Sequence, residues 1–365
     1  MLLLQVVCGT DFDSQSKREI IESKKAVMES LGLQYAPRTI PSQSDFLLRR
    51  FSAPKFMMGL FKEVSSDVNV TDDDYQIERR ILDESKADTV ISFFNYGHDR
   101  SWNRIQEEFK IKFKTKFNAQ DDVLGGELKI FKRTPRNRNM TYANCSMSVF
   151  LILSDRGTKL IDELTVNAWE SGWQTFNITA AIKLWALFPL SNHGLTVVVR
   201  HAHETLSPHS FGIVSTRGNL GKRPYLVGFV TTKRVLSPFT QELSGALRQR
   251  RAATKYQPQA SSNACKLRKF YVDFREVGLH KTIIAPKGYD MFFCKGSCTY
   301  PLEADKSTLH ANLQSLFSID PNSGVSDPCC VPGNLKSVNL LFFNNEGNIV
   351  LKNHPDMVAT SCVCH

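Results

Sequence analysis

The sequence predicts two unlike parts. The first is an α+β amino-terminal region, helices first and an antiparallel β-sandwich after. The second is a small all-β carboxy-terminal domain of two β-hairpin fingers and one helix, held by disulfides. Three observations carry this. Seven cysteines, Cys265, Cys294, Cys298, Cys329, Cys330, Cys362 and Cys364, stand in the spacing C-x28-C-x3-C-x30-C-C-x31-C-x-C. From Thr89 to Thr232, short apolar β-branched and aromatic runs alternate with polar turns, which suits antiparallel strands. Between the two textures lies Arg248-Gln-Arg-Arg251, followed by a polar stretch without apolar periodicity, Ala252 to Ala264.

Residues 1–9, Met-Leu-Leu-Leu-Gln-Val-Val-Cys-Gly, are apolar without a basic start and read as a short or truncated signal segment. Ser16 to Leu31 forms an amphipathic helix with Ile20, Ile21, Val27 and Leu31 on one face and Gly32 as its stop. A second helix runs from Ser52 to Val64. Ser52 and Pro54 suit its start, and Phe56, Leu60 and Phe61 make an apolar stripe. The acidic residues 67–86 link these helices, about 16–64, to the sandwich, about 87–235. Its strands include Val90 to Phe94, Gly126 to Phe131, Ser148 to Leu153, Leu195 to Val199 and Tyr225 to Val230, with one helix near Ile178 to Leu187. Trp173, Phe176 and Trp185 are expected in the core rather than in a binding box. Cys145 has Cys8 as its one evident partner.

Arg248, Gln249, Arg250 and Arg251 match the R-x-R-R pattern that furin-like convertases read through repeated charge recognition, and the polar arm 252–264 gives a protease access. The segment 10–251 is then a prodomain and 265–365 the released domain. In the latter, fingers are expected from Leu267 to Phe293 and from Val338 to Lys352, the second turning at Asn344-Asn-Glu-Gly-Asn348. Thr308 to Ile319 should be helical, with Leu309, Leu313, Leu316 and Phe317 in one stripe that so flat a domain cannot bury. Six of the seven cysteines can pair in many ways, and an odd one in a disulfide-dense secreted domain points to a bond between chains.

Charge argues against nucleic acid as partner. The chain carries +10, but from Ala252 onward 11 Lys and Arg face 9 Asp and Glu, and no basic face with aromatic or helix-turn-helix context is visible. Four sequons, at Asn69, Asn139, Asn144 and Asn177, all precede the basic quartet and agree with a secreted, extracellular glycoprotein. No apolar stretch is long enough to insert in a membrane. Zinc could use Cys294, Cys298, Cys362 and Cys364 with His365, but the secretory signals imply an oxidising compartment, and Cys329-Cys330 has no role in a four-ligand site. His280, His310 and His354 lie near no nucleophile motif, so no enzyme, metal or cofactor is expected.

The residues Cys265 to Phe274, Ile284-Ala-Pro-Lys-Gly-Tyr289, Cys294-Lys-Gly-Ser-Cys298, Cys329-Cys-Val-Pro332, Val350-Leu-Lys-Asn353, Asp356-Met-Val358 and the final Cys-x-Cys-His365 resemble the ligand domain of the transforming growth factor β superfamily, bone morphogenetic protein branch. Ser52-Ala-Pro-x-Phe-Met-x-x-Leu60 and Ala87 to Phe93 are similar to prodomain segments of that branch, where such helices clasp the growth factor. The resemblance implies a cystine-knot growth factor with bridges Cys265–Cys330, Cys294–Cys362 and Cys298–Cys364. The first bridge threads an eight-residue ring closed by the other two, in which Gly296 would tolerate no side chain. It implies Cys329 as the interchain bond of a dimer, with itself or with another family member, in which the helix of one subunit packs on the fingers of the other. It further implies assembly of type I and type II receptor serine/threonine kinases. Ala285, Asn339, Leu341 and Leu351 match the type II patch. At the type I patch the family's Val-Gly-Trp-x-x-Trp-Ile reads Val277-Gly-Leu-His-Lys-Thr-Ile283, which leaves Leu279 and Leu309 as anchors. The rival reading is a secreted knotted antagonist or matrix-stored binding protein.

Overall fold

The computed structural model describes residues 22, 25–29, 31, 33, 50–65, 87–94, 108–118, 121–135, 144–154, 157–202, 204–232, 264–303 and 305–365. These form two compact units. One contains Ala36–Lys233 together with Asn339–Lys352; the other contains Met1–Tyr35, Arg234–Val338 and Asn353–His365. The tip of the second finger is therefore built into the same unit as the sandwich.

In that first unit, helix α1, Ser52–Ser65, buries Ala53, Phe56, Met57 and Leu60, a spacing of three and four that puts them on one face. Pro54 lies in the first turn, where its missing N–H costs no helical bond. Ser52 does not cap the helix. Its hydroxyl donates to the carbonyl of Arg223 at 2.6 Å, pinning the helix start to the sandwich, where Phe56 meets Tyr225 at 5.5 Å between ring centroids.

Nine strands follow: β1 Thr89–Phe94, β2 Glu108–Ile111, β3 Asp121–Lys132, β4 Asn144–Ile152, β5 Thr158–Asn167, β6 Gly172–Asn177, β7 Leu195–His201, β8 Glu204–Leu206 and β9 Tyr225–Thr232. The five apolar runs read from the sequence fall in β1, β3, β4, β7 and β9. The order β1-β9-β3-β6 makes one antiparallel sheet and β2-β7-β4-β5 the other, with β8 beside β7. Phe93, Leu128, Phe176 and Val227 on the first sheet, and Phe109, Met147, Val149 and Val197 on the second, are essentially fully buried. Helix α2, Thr179–Leu187, lies over β3, with Ile178 N–H donating to the Gly126 carbonyl at 2.9 Å and Trp185 buried beneath. Trp173 is half-buried and meets Phe131 and Tyr225 edge-on at 5.2 and 5.1 Å. Cys145 is buried on β4 and makes no disulfide among the described residues; Cys8 lies outside them. Burial pushes its thiol up and pushes the Lys132 ammonium down. Lys132, with no exposed surface, donates to the carbonyls of Ala168 and Glu170 and sits 4.6 Å from the centroid of Phe211.

In the second unit, residues 25–29 are helical, and the expected face is rotated by one position. Met28, Leu31 and Leu33 are buried while Val27 is 52% exposed; Ile20 and Ile21 lie outside the described residues. Met28 and Leu31, three apart, share a helix face that Val27 cannot join. The first finger consists of β10 Lys266–Arg268 paired with β14 Phe293–Lys295, β11 Tyr271–Asp273 paired with β13 Gly288–Asp290, and β12 Ile283–Ala285. Helix α3, Leu309–Phe317, follows, then β15 Cys330–Phe343 and β16 Ile349–Cys364, longer strands than the sequence suggested, which run on into the other unit.

Candidate functional site

Three disulfides anchor the carboxy-terminal domain: Cys265–Cys330, Cys294–Cys362 and Cys298–Cys364, with Cα separations of 5.5, 5.7 and 5.8 Å. The last two close a ring through Cys294–Cys298 and Cys362–Cys364. The Cys265 sulfur lies within 4.8 Å of those of Cys298 and Cys364, so the first bridge passes against this ring. Gly296 makes the fit. It has φ of 144°, and a Cβ there would stand 2.3 Å from the Ala264 carbonyl oxygen, 2.4 Å from its carbon and 2.6 Å from the Cys265 nitrogen. Cys265 N–H meanwhile donates to Ser297 O at 3.2 Å. Sulfurs bound to one another are not thiolates, so this group does not offer zinc the ligands it would need.

Beside the ring, Cys329 exchanges two backbone hydrogen bonds with His365, at 2.8 and 2.9 Å, and is partly exposed next to Cys330. Helix α3 is capped by Thr308, whose hydroxyl accepts from Ala311 N–H at 3.1 Å. One face holds Ala311 and Ser315, with no exposed surface. The other presents Leu309, Leu313, Leu316 and Phe317, exposed by 78, 51, 44 and 60%. The stripe expected from spacing is therefore an uncovered apolar surface on this chain.

The fingertip turn forms where the Asn and Gly residues allow it. Asn344 N–H donates to Asn348 O at 2.9 Å, the Asn344 side chain accepts from Glu346 and Asn348 N–H, and Gly347 takes φ of 77°. Beyond the turn, β16 pairs with β1, Thr89 opposite Lys352, Val90 opposite Leu351 and Ser92 opposite Ile349. Three side-chain contacts reinforce the seam: Ser92 Oγ donates to Ile349 O at 3.2 Å, Lys352 Nζ to Thr232 Oγ1 at 3.2 Å, and Lys116 lies 2.8 Å from Glu346.

This seam covers part of the segment that matches the type II patch. Leu341 has no exposed surface and Leu351 is 4% exposed, because strand 349–352 is completed by a strand of the sandwich rather than facing solvent. Ala285 and Asn339 are half-buried. Leu279 and Thr282, which stand where the family has two tryptophans, are each 5% exposed; a compact turn holds them, with Leu279 N–H bonding Phe274 O at 2.8 Å and Ile283 N–H bonding Leu279 O at 2.9 Å. Of the predicted anchors, Leu309 alone is open. The role of β1 was missed, although its sequence carries a signal: Thr-Val-Ile-Ser-Phe-Phe is apolar on both faces, as suits a central strand with a neighbour at each edge.

Arg248, Gln249, Arg250, Arg251, Asn69 and Asn139 lie outside the described residues. Asn144 and Asn177 are exposed at a strand start and a strand end. His201 Nδ1 lies 2.9 Å from the main-chain oxygen of Asn144, and Asn177 Oδ1 accepts from Thr179 N–H at 3.0 Å. No helix among the described residues is long and apolar enough to cross a membrane.

Comparison with known proteins finds two family matches, the Transforming growth factor beta like domain over residues 264–364 and the TGF-beta propeptide over residues 8–229. Similar curated proteins include human Bone morphogenetic protein 8A, 27% identical with 95% of this chain and 90% of the relative covered, and mouse Bone morphogenetic protein 8B, 27% identical with 95% and 91% covered. Drosophila melanogaster Protein 60A is 23% identical, with 96% and 88% covered.

Proposed function

The chain belongs to the transforming growth factor β family, whose members are signalling ligands and not enzymes, and on that premise we propose that it is the precursor of a secreted, disulfide-linked dimeric ligand of the bone morphogenetic protein type. Cleavage by a furin-like convertase after Arg251 frees residues 252–365 from the prodomain. The observation that carries the reading is the exposed stripe of α3: four large apolar side chains on a helix anchored beside the knot call for a second chain to cover them. Cys329, partly exposed immediately before β15, supports a covalent bond to its counterpart across such a pair. The released dimer brings type I and type II receptor kinases together, and two copies of each epitope raise the effective concentration of neighbouring receptors. Ala285, Asn339, Leu341 and Leu351 supply the type II patch once β1 departs. Leu309 contributes to the type I side, and Leu279 supports it from beneath.

The test is surface plasmon resonance of the purified uncut chain, with Arg248 and Arg251 both replaced by Ala, against the released fragment, each over single receptor ectodomains. The reading expects a covalent dimer and stronger type II binding by the fragment. A monomeric fragment without receptor affinity would favour the antagonist.

A further inference from the structure

Strands β2, β6 and β5 end the sheets of the sandwich, with four, six and ten residues. The longest of these, β5, pairs with β4 on one side and with no described strand on the other. Such an edge offers another chain a row of unmatched N–H and C=O groups. Its first third is blunted by irregularity: Val149 pairs with Asp162 and Phe150 with Leu160, so Ile161 is an extra residue that bends the strand. From Asp162 to Asn167 the pairing is regular, and this stretch holds no Lys, Arg or Pro. Its two carboxylates are occupied within the sandwich. Asp162 accepts from Asn177 N–H at 2.8 Å, and Glu163 accepts from the Ser146 hydroxyl. Both donors belong to sequons, Asn177-Ile-Thr179 and Asn144-Cys-Ser146, and Asn144 itself stands opposite Asn167. The two acceptor asparagines therefore bracket the regular stretch, one beside each end, about 17 Å apart along the strand.

We infer that N-linked glycans on Asn144 and Asn177 cover this edge of β5 and keep it from pairing with the same edge of a second copy of the chain. Two identical strands can pair antiparallel about a two-fold axis, so the edge is complementary to itself. Both asparagines are exposed, and Asn177 uses Oδ1 to accept from Thr179 N–H, which leaves Nδ2 to carry the sugar. In the transfer, the amide nitrogen bonds to the anomeric carbon of a lipid-diphosphate-linked oligosaccharide. The bond from that carbon to the diphosphate oxygen breaks, the lipid diphosphate leaves, and one amide proton is lost. A bulky, solvated oligosaccharide at each end of a six-residue stretch denies a second strand the close approach that a ladder needs. The inference rests on the secreted reading of the chain, because the transfer belongs to the secretory pathway.

Its test begins with the purified uncut chain, in which peptide mass mapping should find sugar on both Asn144 and Asn177. A chain with Asn69→Gln and Asn139→Gln keeps these two acceptors alone. Made in cells that build high-mannose glycans, it can be trimmed by an endoglycosidase to one sugar per site after folding is complete. Trimming should lower the concentration at which species larger than the covalent dimer form by about ten-fold, read by light scattering on size exclusion, the scale that a few cross-strand pairs supply. Adding Thr165→Lys, at an exposed position within the stretch, should hold the trimmed chain at the size of the untrimmed one, since a lysine blunts an edge without sugar. Where the doubly substituted chain is poorly secreted, the parental chain trimmed at all its sites gives the same comparison, with Thr165→Lys again as the discriminant. Sugar missing from Asn144 or Asn177 overturns the inference, as does a trimmed chain that associates no more than the untrimmed one. Association that Thr165→Lys does not prevent lies elsewhere on the molecule and overturns it too. A parental chain without sugar at any of its four sequons, or one that never reaches the medium, refutes the secreted reading and this inference with it.

Discussion

Gly296→Ala isolates the closest approach in the knot. The new Cβ would lie 2.3 Å from the Ala264 carbonyl oxygen, and real Cβ contacts essentially never fall below 3.0 Å, so backbone must move by about 0.7 Å or more. Neither side is free to yield. Ala264 adjoins Cys265, tied to Cys330 and bonded to Ser297 O, while Gly296 lies in the ring closed by Cys294–Cys362 and Cys298–Cys364. The φ of 144° adds about 1–3 kcal/mol for a side-chain-bearing residue. If the ring opens to make room, the lost bridge costs about 2–5 kcal/mol more. Together that is on the order of 3–8 kcal/mol, against a total stability of about 5–15 kcal/mol for an ordinary domain. The variant should reach the medium poorly, and alkylation under denaturing, non-reducing conditions should add label to the knot cysteines by mass. Gly278→Ala is the control, because φ there is 78° but a Cβ would meet nothing within 4 Å; it should be secreted with all three bridges. Normal secretion of the Gly296 variant with no added label would refute the threaded-ring argument.

Leu351→Glu places a carboxylate at a 4% exposed position opposite Val90, and should cost several kcal/mol by lost apolar burial and an unpaired charge, roughly the scale of a large core truncation. Limited proteolysis of the precursor should then cut within 339–352, and the released fragment should lose type II receptor binding; retention of both properties would refute the seam. Cys329→Ser should run as a monomer on non-reducing gels while keeping its three internal bridges, unlike Cys330→Ser, and a persistent covalent dimer would reassign the interchain bond. N-glycosidase should shift the fragment that ends at Arg251 and leave residues 252–365 unchanged, since all four sequons precede the quartet; a shift of the latter would contradict that division.

Much of this architecture was legible because it is set by local chemistry. The Asn344 to Asn348 turn needs only neighbouring Asn and Gly residues, α3 needs a Thr cap and apolar spacing, and the five strongest strands are dense in Val, Ile, Leu and Phe. The strands that escaped notice are those whose faces are half-wet. β5, Thr-Lys-Leu-Ile-Asp-Glu-Leu-Thr-Val-Asn, lies at a sheet edge with Leu160 49% exposed, so its polar residues blur the alternation. Burial of Lys132 was invisible for another reason: it depends on the carbonyls of Ala168 and Glu170, and carbonyl placement has no side-chain signature. The burial of Leu341 and Leu351 in this chain was not legible, because what covers this strand is a segment far away in the chain, which a local pattern does not announce.

That distance has a temporal consequence. Ser92 and its acceptor Ile349 are 257 residues apart, while β1 pairs on its other edge with β9, Tyr225–Thr232. At a synthesis rate of about 5–20 residues per second, β1 waits tens of seconds on the ribosome for its last neighbour, with one row of backbone N–H and C=O groups unmatched. The sandwich therefore leaves the ribosome incomplete until the fingertip arrives, and the two halves of the polypeptide finish folding as a pair. Cutting the chain into separately expressed halves would leave an exposed strand edge on each, a site for self-association that continuous synthesis closes from within.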